Sequence, residues 1–180
     1  ENRMRFPLEV TRAVREAVGS DMVISYRLGL LEPWEDGFTI EDTLALAPAL
    51  VDAGVDMLHC SRNARVGIPV VPELYSPAFQ RLRHTVSVPL IANGAAFDPD
   101  RIQGYMEMGA DFVAVGRGML SDPHYAQKAI AGEPGNIIRC IECRPCIYMQ
   151  DSKCPDDAYP DGVLPESMET IVDIASKMKG

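Results

Sequence analysis

Two hydrophobic periods alternate along the first three-quarters of the chain. Stretches with apolar residues three and four apart give way to short, nearly unbroken apolar runs, and the exchange repeats. "PLEVTRAVREAVG" places Val10, Val14, Ala17 and Val18 on one helical face, with Pro7 at the predicted helix start and Gly19 at its end. "DMVISYRLG" follows as a strand. "TIEDTLALAPALVDAG" predicts a second helix. There Thr39 and Asp42 have capping-box spacing, Gly54 closes the helix, and Pro48 should kink it or open its middle turn. "VDMLHCS" is the next strand, and a helix near "SPAFQRLRHTV" leads to the strand "VPLIANG". The helix "DPDRIQGYMEMG" leads to the strand "DFVAVGR", and a last helix covers "DPHYAQKAIAG".

Three strand starts copy one pattern. "GSDMVISYR", "GVDMLHCSR" and "GADFVAVGR" each read glycine, any residue, aspartate, an apolar run and then arginine at the same offset. The glycine ends a helix, the aspartate turns the chain into the sheet, and Arg27, Arg62 and Arg117 are expected at the strands' C-terminal ends. Arginines on that rim of a parallel sheet make an anion site, and in α/β barrels it is the functional rim. For Arg62 a surface position beside an acidic neighbour is the simpler expectation. Asn93-Gly94 and Gly116-Arg117-Gly118 are small strand-to-helix turns whose backbone N–H groups could approach a phosphate.

The repeat amounts to four βα units, half of a TIM (β/α)8 barrel. A small doubly wound sheet is the alternative, and the closely repeated units favour the barrel. Four open parallel strands would leave edges and an apolar face uncovered. The missing N-terminal half of the barrel, or a second chain, is the expected partner. The opening "ENRMRFPLEV" lacks a methionine and enters a helical pattern at once, so a fragment of a longer protein is expected.

A net charge of −9 argues against a nucleic-acid or anionic-membrane partner. No run approaches membrane-span length and no leader pattern is seen, which predicts a cytoplasmic protein. Four of the five cysteines crowd into the last quarter, three of them within "CIECRPC". Disulfide frameworks spread their cysteines through small secreted domains, so a metal is the better expectation. Cys-x-x-Cys-x-x-Cys offers three thiolates from one loop, as an iron–sulfur cluster requires, and Cys154 could supply the fourth. Structural zinc, which commonly uses two separated pairs, and unligated thiols remain open. Cys60 stands apart in an apolar run and reads as a small core residue.

"ENRMRFPLEVTRAVREAVG", the strand with Arg27, "VPLIANGAAFDPD", "VGRGMLSDP" and "RCIECRPC" resemble, in that order, the C-terminal half of Old Yellow Enzyme-type flavin oxidoreductases. The branch containing 2,4-dienoyl-CoA reductase and trimethylamine dehydrogenase is the nearest in pattern. The resemblance covers residues 1–146 and implies FMN at the C-terminal rim of the barrel, with a [4Fe–4S] cluster just after it. By position it implies Arg27 near the N1/O2 edge of the flavin. It also implies Asn93, Gly94, Ala95, Gly116 and Arg117 around the phosphate, and Cys140, Cys143, Cys146 and Cys154 at the cluster. Cys154 comes sooner than the family's fourth cysteine does. Arg139 and Arg144 could offset the cluster's charge or face solvent.

No catalytic residue is assigned. The family's proton-donating tyrosine and substrate-orienting pair lie on earlier strands, and Glu1 and Arg3 match only the end of a family motif. The reductase branch has a catalytic histidine in the loop after the second strand, whereas this chain reads "RNARVGIP" there, with Asn63 near that place. His59, on the strand itself, reads as a hydrogen-bonded core histidine. The expected organisation is a partial barrel over 1–135, an iron–sulfur segment over 136–156, and an acidic tail with a short helix over 157–180. The resulting expectation is a flavin-dependent oxidoreductase that reduces activated alkenes or oxidises amines, with a small-molecule substrate and this chain alone inactive. Homo-oligomerisation is left open. The alternatives are a non-catalytic half-barrel binding phosphate or a partner around a structural zinc, and a barrel acting on sugar phosphates. No G-x-G-x-x-G follows the cysteines, so no second nucleotide site is expected in this chain.

Overall fold

A computed structural model describes residues 2–32, 35–61, 72–94, 96–140 and 154. Arg62, Asn63, Ala95, Cys143, Cys146, Arg144 and the tail helix expected around Met168 lie outside the described residues. The order is α1 (Asn2–Val18), β1 (Ser25–Gly29), α2 (Ile40–Asp52), β2 (Met57–Ser61), α3 (Pro72–Arg83), β3 (Leu90–Asn93), α4 (Pro99–Glu107) and β4 (Phe112–Ala114). Two short helices, α5 (Arg117–Ser121) and α6 (Tyr125–Ile130), and a 3₁₀ turn at Pro134–Asn136 follow. The strands form one parallel sheet in the order β1-β2-β3-β4, as half of a (β/α)8 barrel requires. The chain divides into two compact units. The first holds the sheet, α1 to α3 and residues 104–107 of α4, and the second holds residues 99–103 of α4 with α5, α6 and the 3₁₀ turn.

The capping box forms as expected. Thr39 Oγ1 accepts from the Asp42 N–H at 3.1 Å, and Asp42 Oδ2 accepts from the Thr39 N–H at 2.9 Å. The Thr39 N–H first, and then the Thr39 hydroxyl, which donates to Oδ2 at 3.0 Å, hold the Asp42 carboxyl below the usual range. Thr43 then donates to the Leu30 carbonyl at 2.8 Å and ties α2 to the end of β1. The helix runs on through Pro48 to Asp52, with one backbone donor fewer. Two expectations for the first helix are corrected. It begins at Asn2, not at Pro7, because Met4 is half-buried and Arg3 donates to the Asp36 and Gly37 carbonyls, so the preceding turn is held in place. Its packed side is Thr11, with Met4, Leu8 and Arg15 half-buried, while Phe6, Val10, Val14 and Val18 form an exposed stripe.

Two of the three Gly-x-Asp repeats share a latch. Arg15 of α1 lies against Gly54 (φ +109°), donates to its carbonyl at 2.7 Å and pairs with Asp56. Asp56 Oδ2 also accepts from the Ile24 N–H at 2.7 Å. Arg83 of α3 repeats the arrangement. It lies against Gly109 (φ +92°) and pairs with Asp111 at 3.0 Å, while Asp111 Oδ2 accepts from the Leu90 N–H at 2.8 Å. A Cβ on Gly54 or Gly109 would come within 2.8 or 2.9 Å of the arginine Cγ. At "GSD" no described residue lies within 4 Å of where a Gly19 Cβ would stand, Arg15 instead donates to the Gly19 carbonyl at 2.6 Å, and Asp21 accepts from Ser20 Oγ at 3.2 Å.

The sheet's two faces differ sharply. Register sets Leu28, Cys60, Ala92 and Val113 in one row and Tyr26, Leu58 and Leu90 in another. Leu28, Leu58, Cys60, Leu90 and Ala92 are buried, in a core shared with Leu46, Leu50, Phe79 and Leu82. The opposite face carries the row Arg27, His59, Ile91 and Phe112, with Arg27 exposed and Phe112 54% exposed. In a closed barrel this second face is the interior.

The latch is directly testable. Gly109→Ala should destabilise the protein by about 1–3 kcal/mol, through its positive φ and the contact with Arg83. Gly104→Ala, at an open position inside α4, should be neutral or stabilising by about 0.5–1 kcal/mol. Thermal unfolding of both variants reads the difference.

Candidate functional site

The polar side chains of the first unit's open face come from three strands. Arg27 is the third residue of β1 and lies level with His59 of β2, so it does not emerge at the strand's end as the repeat implies. The reason is local. β2 and β4 begin one residue after their aspartates, Asp56 and Asp111, whereas β1 begins four residues after Asp21. The guanidinium nevertheless reaches the end of the neighbouring strand, where Arg27 Nη2 donates to Ser61 Oγ at 3.0 Å. Arg117 falls beyond β4, as the first residue of α5.

His59 Nε2 lies 3.0 Å from Asn93 Nδ2, joining β2 to the last residue of β3. His59 is hydrogen-bonded as read from the sequence, but it is half-buried on the open face and not in the core, because its register places it level with Arg27 and Ile91. Burial and the positive charge of Arg27 keep its pKa below the ordinary imidazole value, so the neutral ring dominates. Asn93 leads into Gly94, whose φ of +124° suits glycine. Two tyrosines brace this turn. Tyr105 of α4 donates to the Gly94 carbonyl at 2.5 Å, and the buried Tyr75 hydroxyl lies 3.5 Å from the Asn93 N–H. The two rings meet edge to face with centroids 5.9 Å apart. Tyr75 also donates to the Cys60 carbonyl at 3.0 Å. Cys60 itself is fully buried, and burial pushes its thiol up to about 12, which leaves it an inert core residue as expected.

In the second unit, Gly116 caps α5 without a side-chain hydrogen bond, and among the described residues a Cβ there would meet nothing within 4 Å. Gly118 differs: a Cβ would lie 2.9 Å from Val115 Cγ1 and 3.1 Å from the Phe97 backbone. One glycine is thus demanded by packing, while the other leaves a clear space beside backbone donors. The Arg117 guanidinium sits 5.5 Å from the Phe97 ring centroid, and Arg101 sits 5.3 Å from it. Cys140 and Cys154 are half-buried and outside any disulfide. Arg139 is paired with Asp98 at 3.4 Å. Among the described residues no group of three or more His, Cys, Asp or Glu side chains is arranged to hold a metal. Two of the four expected cluster cysteines lie outside those residues.

The structure therefore brings Arg27, His59, Ser61 and Asn93 to one face of the first unit, and places Gly116 and Arg117 on the second. Ser61, Tyr75 and Tyr105 escaped the sequence reading. For Ser61 a signal existed, because it follows His59 by two residues and so shares its face. Tyr105 lies within a predicted helix and Tyr75 just before the one predicted from Ser76, with no local pattern to mark either.

A sequence profile of the NADH:flavin oxidoreductase / NADH oxidase family matches residues 1–136. The chain belongs to this family. It is 37% identical over 151 residues to an NADH oxidase of Thermoanaerobacter brockii, covering 79% of this chain and 23% of the oxidase. With an NADH:acrylate oxidoreductase of Vibrio harveyi it shares 33% identity over 143 residues, 74% of this chain and 14% of that protein. The histamine dehydrogenase of Rhizobium sp. 4-9 superposes with a TM-score of 0.67 at 25% identity, over 82% of this chain and 22% of that one. The chain thus spans under a quarter of each of these proteins. Among the described residues no helix is long and apolar enough to cross a membrane.

The neutral state of His59 has a pH signature. The unfolded chain takes up a proton at this residue near pH 6.5, and the folded chain does so only at lower pH. In that window the unfolded state holds more protons, so stability falls as pH falls through it. The parent's thermal midpoint should therefore drop further than that of His59→Gln between about pH 7 and pH 5. Equal drops would contradict a neutral His59.

Proposed function

We propose that this chain is the flavin-binding part of an FMN-dependent oxidoreductase that also carries a [4Fe–4S] cluster. In its full-length form the enzyme reduces activated alkenes or oxidises amines. The acrylate oxidoreductase and the histamine dehydrogenase among its relatives support these two reaction classes. The observation that carries the reading is Arg27. It is a cation on the open inner face of the sheet, steadied by Ser61, in a family of flavin oxidoreductases.

The residues present fit the flavin. Arg27 supplies the positive charge that a reduced isoalloxazine requires near N1/O2. Asn93 and Gly94 supply a turn whose shape is fixed by Tyr105 and His59. Gly116, with clear space where a side chain would stand, lets phosphate oxygens approach the backbone donors at the start of α5, with Arg117 beside them. Ala95 belongs to the same proposed phosphate site by its position in the sequence. The flavin, when bound, supplies two-electron storage and hydride chemistry, and the chain's own residues hold and polarise it.

For the cluster the fit rests on donor chemistry. Cys140 and Cys154 are unpaired thiols with partial access to solvent, and Cys143 and Cys146 complete the set by spacing. The open inner face, with Phe112 more than half exposed, supports a partner in the form of the barrel's remaining strands or a second chain. A small-molecule substrate and a cytoplasmic setting complete the proposal.

The test uses the full-length protein purified without oxygen. FMN released on denaturation, with about four iron and four sulfide per chain, is the expected result. Zinc without iron or sulfide would put a structural zinc in place of the cluster, and protein without flavin would remove the enzymatic reading. Gly116→Val should weaken FMN binding at least about tenfold while costing no more than about 2 kcal/mol of stability as a poorer N-cap, because no described residue lies within 4 Å of where its Cβ would stand. Unchanged affinity would remove Gly116 from the site.

A further inference from the structure

Ser121 and Asp122, at the end of α5, hold both backbone polar groups of Ile138. Ser121 Oγ donates to the Ile138 carbonyl at 3.0 Å, and Asp122 Oδ2 accepts from the Ile138 N–H at 3.0 Å. Both side chains are buried, Asp122 to 1% exposure. The carboxylate is fully engaged: Lys128 Nζ donates to Oδ2 at 2.7 Å, and the His124 N–H donates to Oδ1 at 2.9 Å. The Lys128 bond first, and then the Ile138 N–H, hold its pKa below the usual carboxylate range. The Ser121 hydroxyl also lies 3.1 Å from the Gly118 carbonyl and 3.3 Å from that of Arg117, within its own helix. Its bond to Ile138 therefore competes with the local bonds a helical serine makes by default.

A buried carboxylate spent on one residue of non-regular backbone needs a reason, since removing any partner leaves a charge stranded in the interior. The position of that residue supplies one. Ile138 stands two residues before Cys140, and Arg139 between them is paired with Asp98 at 3.4 Å. Asp98 in turn accepts through its carbonyl from the Arg101 and Ile102 N–H groups at the start of α4. The segment leading to the first cysteine is therefore tied to α5 by the clamp and to the start of α4 by the ion pair. Four residues separate Gly116 from the Ser121 end of this tie.

We propose that Ser121 and Asp122 are positioning residues that fix the backbone before Cys140 relative to the Gly116–Arg117 turn, so that the first cluster ligand is preorganised on the same unit as the phosphate site. This rests on the flavin and cluster reading above, and assigns the clamp a task within it. A preorganised ligand loses less freedom on binding and gives up its metal more slowly.

The experiment uses full-length protein and the variants Ser121→Ala, Asp122→Asn and Ser121→Thr. Iron release to a chelator is followed by absorbance, and alkylation of each cysteine in chelator-stripped protein by peptide mass spectrometry. In Ser121→Ala, iron release should quicken about tenfold, as expected for one lost hydrogen bond at a ligand-bearing segment. Cys140 should alkylate faster while Cys60 stays protected, and FMN content should be unchanged. Asp122→Asn should show the larger effect. If that variant fails to fold, Ser121→Ala carries the test. Ser121→Thr, which keeps the hydroxyl, should return towards the parent rates. Iron release and Cys140 alkylation equal to the parent's in Ser121→Ala would overturn the clamp. A parent protein with flavin but no iron would refute the cluster reading instead, and Cys140 alkylation alone would then decide the clamp.

Discussion

An arginine laid across a glycine and paired with the aspartate two residues later determines where two of the helices, α2 and α4, hand the chain to the sheet. Arg15 with Gly54 and Asp56, and Arg83 with Gly109 and Asp111, use the same chemistry twice. The positive φ turns the chain, the absent Cβ leaves room for the arginine stem, and the carboxylate binds both the guanidinium and an N–H at the start of the neighbouring strand (Leu90) or just before it (Ile24). That last bond matters most for register. Because strand side chains alternate, a slip of one residue would move every side chain to the other face. With the latches in place, Arg27, His59, Ile91 and Phe112 share a row on the open face, and Leu28, Cys60 and Ala92 share one in the core.

The open face gathers polar side chains from three strands. It combines a cation steadied by Ser61, a histidine kept neutral by burial and by that cation, and an asparagine that meets the histidine at 3.0 Å. Each reinforces the next. A neutral imidazole beside Arg27 avoids a like-charge pair, and its contact with Asn93 steadies the start of a turn that Tyr105 closes from the helix side. Parallel α/β sheets concentrate function at the strands' C-terminal ends because loops there can vary without disturbing the core. Here that end is stiffened by two tyrosines, which fix the Asn93-Gly94 turn.

The second unit solves a different problem, that of holding an irregular segment in place. Ile137 to Cys140 has no helix or strand, so its backbone groups must find partners elsewhere. Ser121 and Asp122 satisfy both groups of Ile138. Gly118 lets α5 pack closely enough for this, since Val115, Phe97 and Tyr125 all lie within 3.3 Å of where its Cβ would stand.

Much of this was readable in the residues. The alternation of periods gave four βα units, the Thr39–Asp42 spacing gave its capping box, and Cys60 gave a core residue, because each depends on neighbours within one or two turns. The ordered motifs from "ENRMRFPLEV" to "VGRGMLSDP" pointed to the family that the profile match shows. Three features escaped. The equal offset of the arginines hid the later start of β1, which leaves Arg27 in mid-strand and Arg117 on a helix. The stripe of Val10, Val14 and Val18 looked like a packing face, yet α1 packs through Thr11 because Arg3 and Arg15 anchor it from the other side. Asp122 opened the last predicted helix and had no assigned role, whereas it closes α5 and grips Ile138. The sequence by itself determined element types, their order and the kinds of side chain available, since local sterics and periodicity decide these. Only the tertiary structure decided which strand level Arg27 reaches, which face of α1 is covered and which backbone Asp122 grips. Those depend on partners 16 to 39 residues away, whose approach no local pattern encodes.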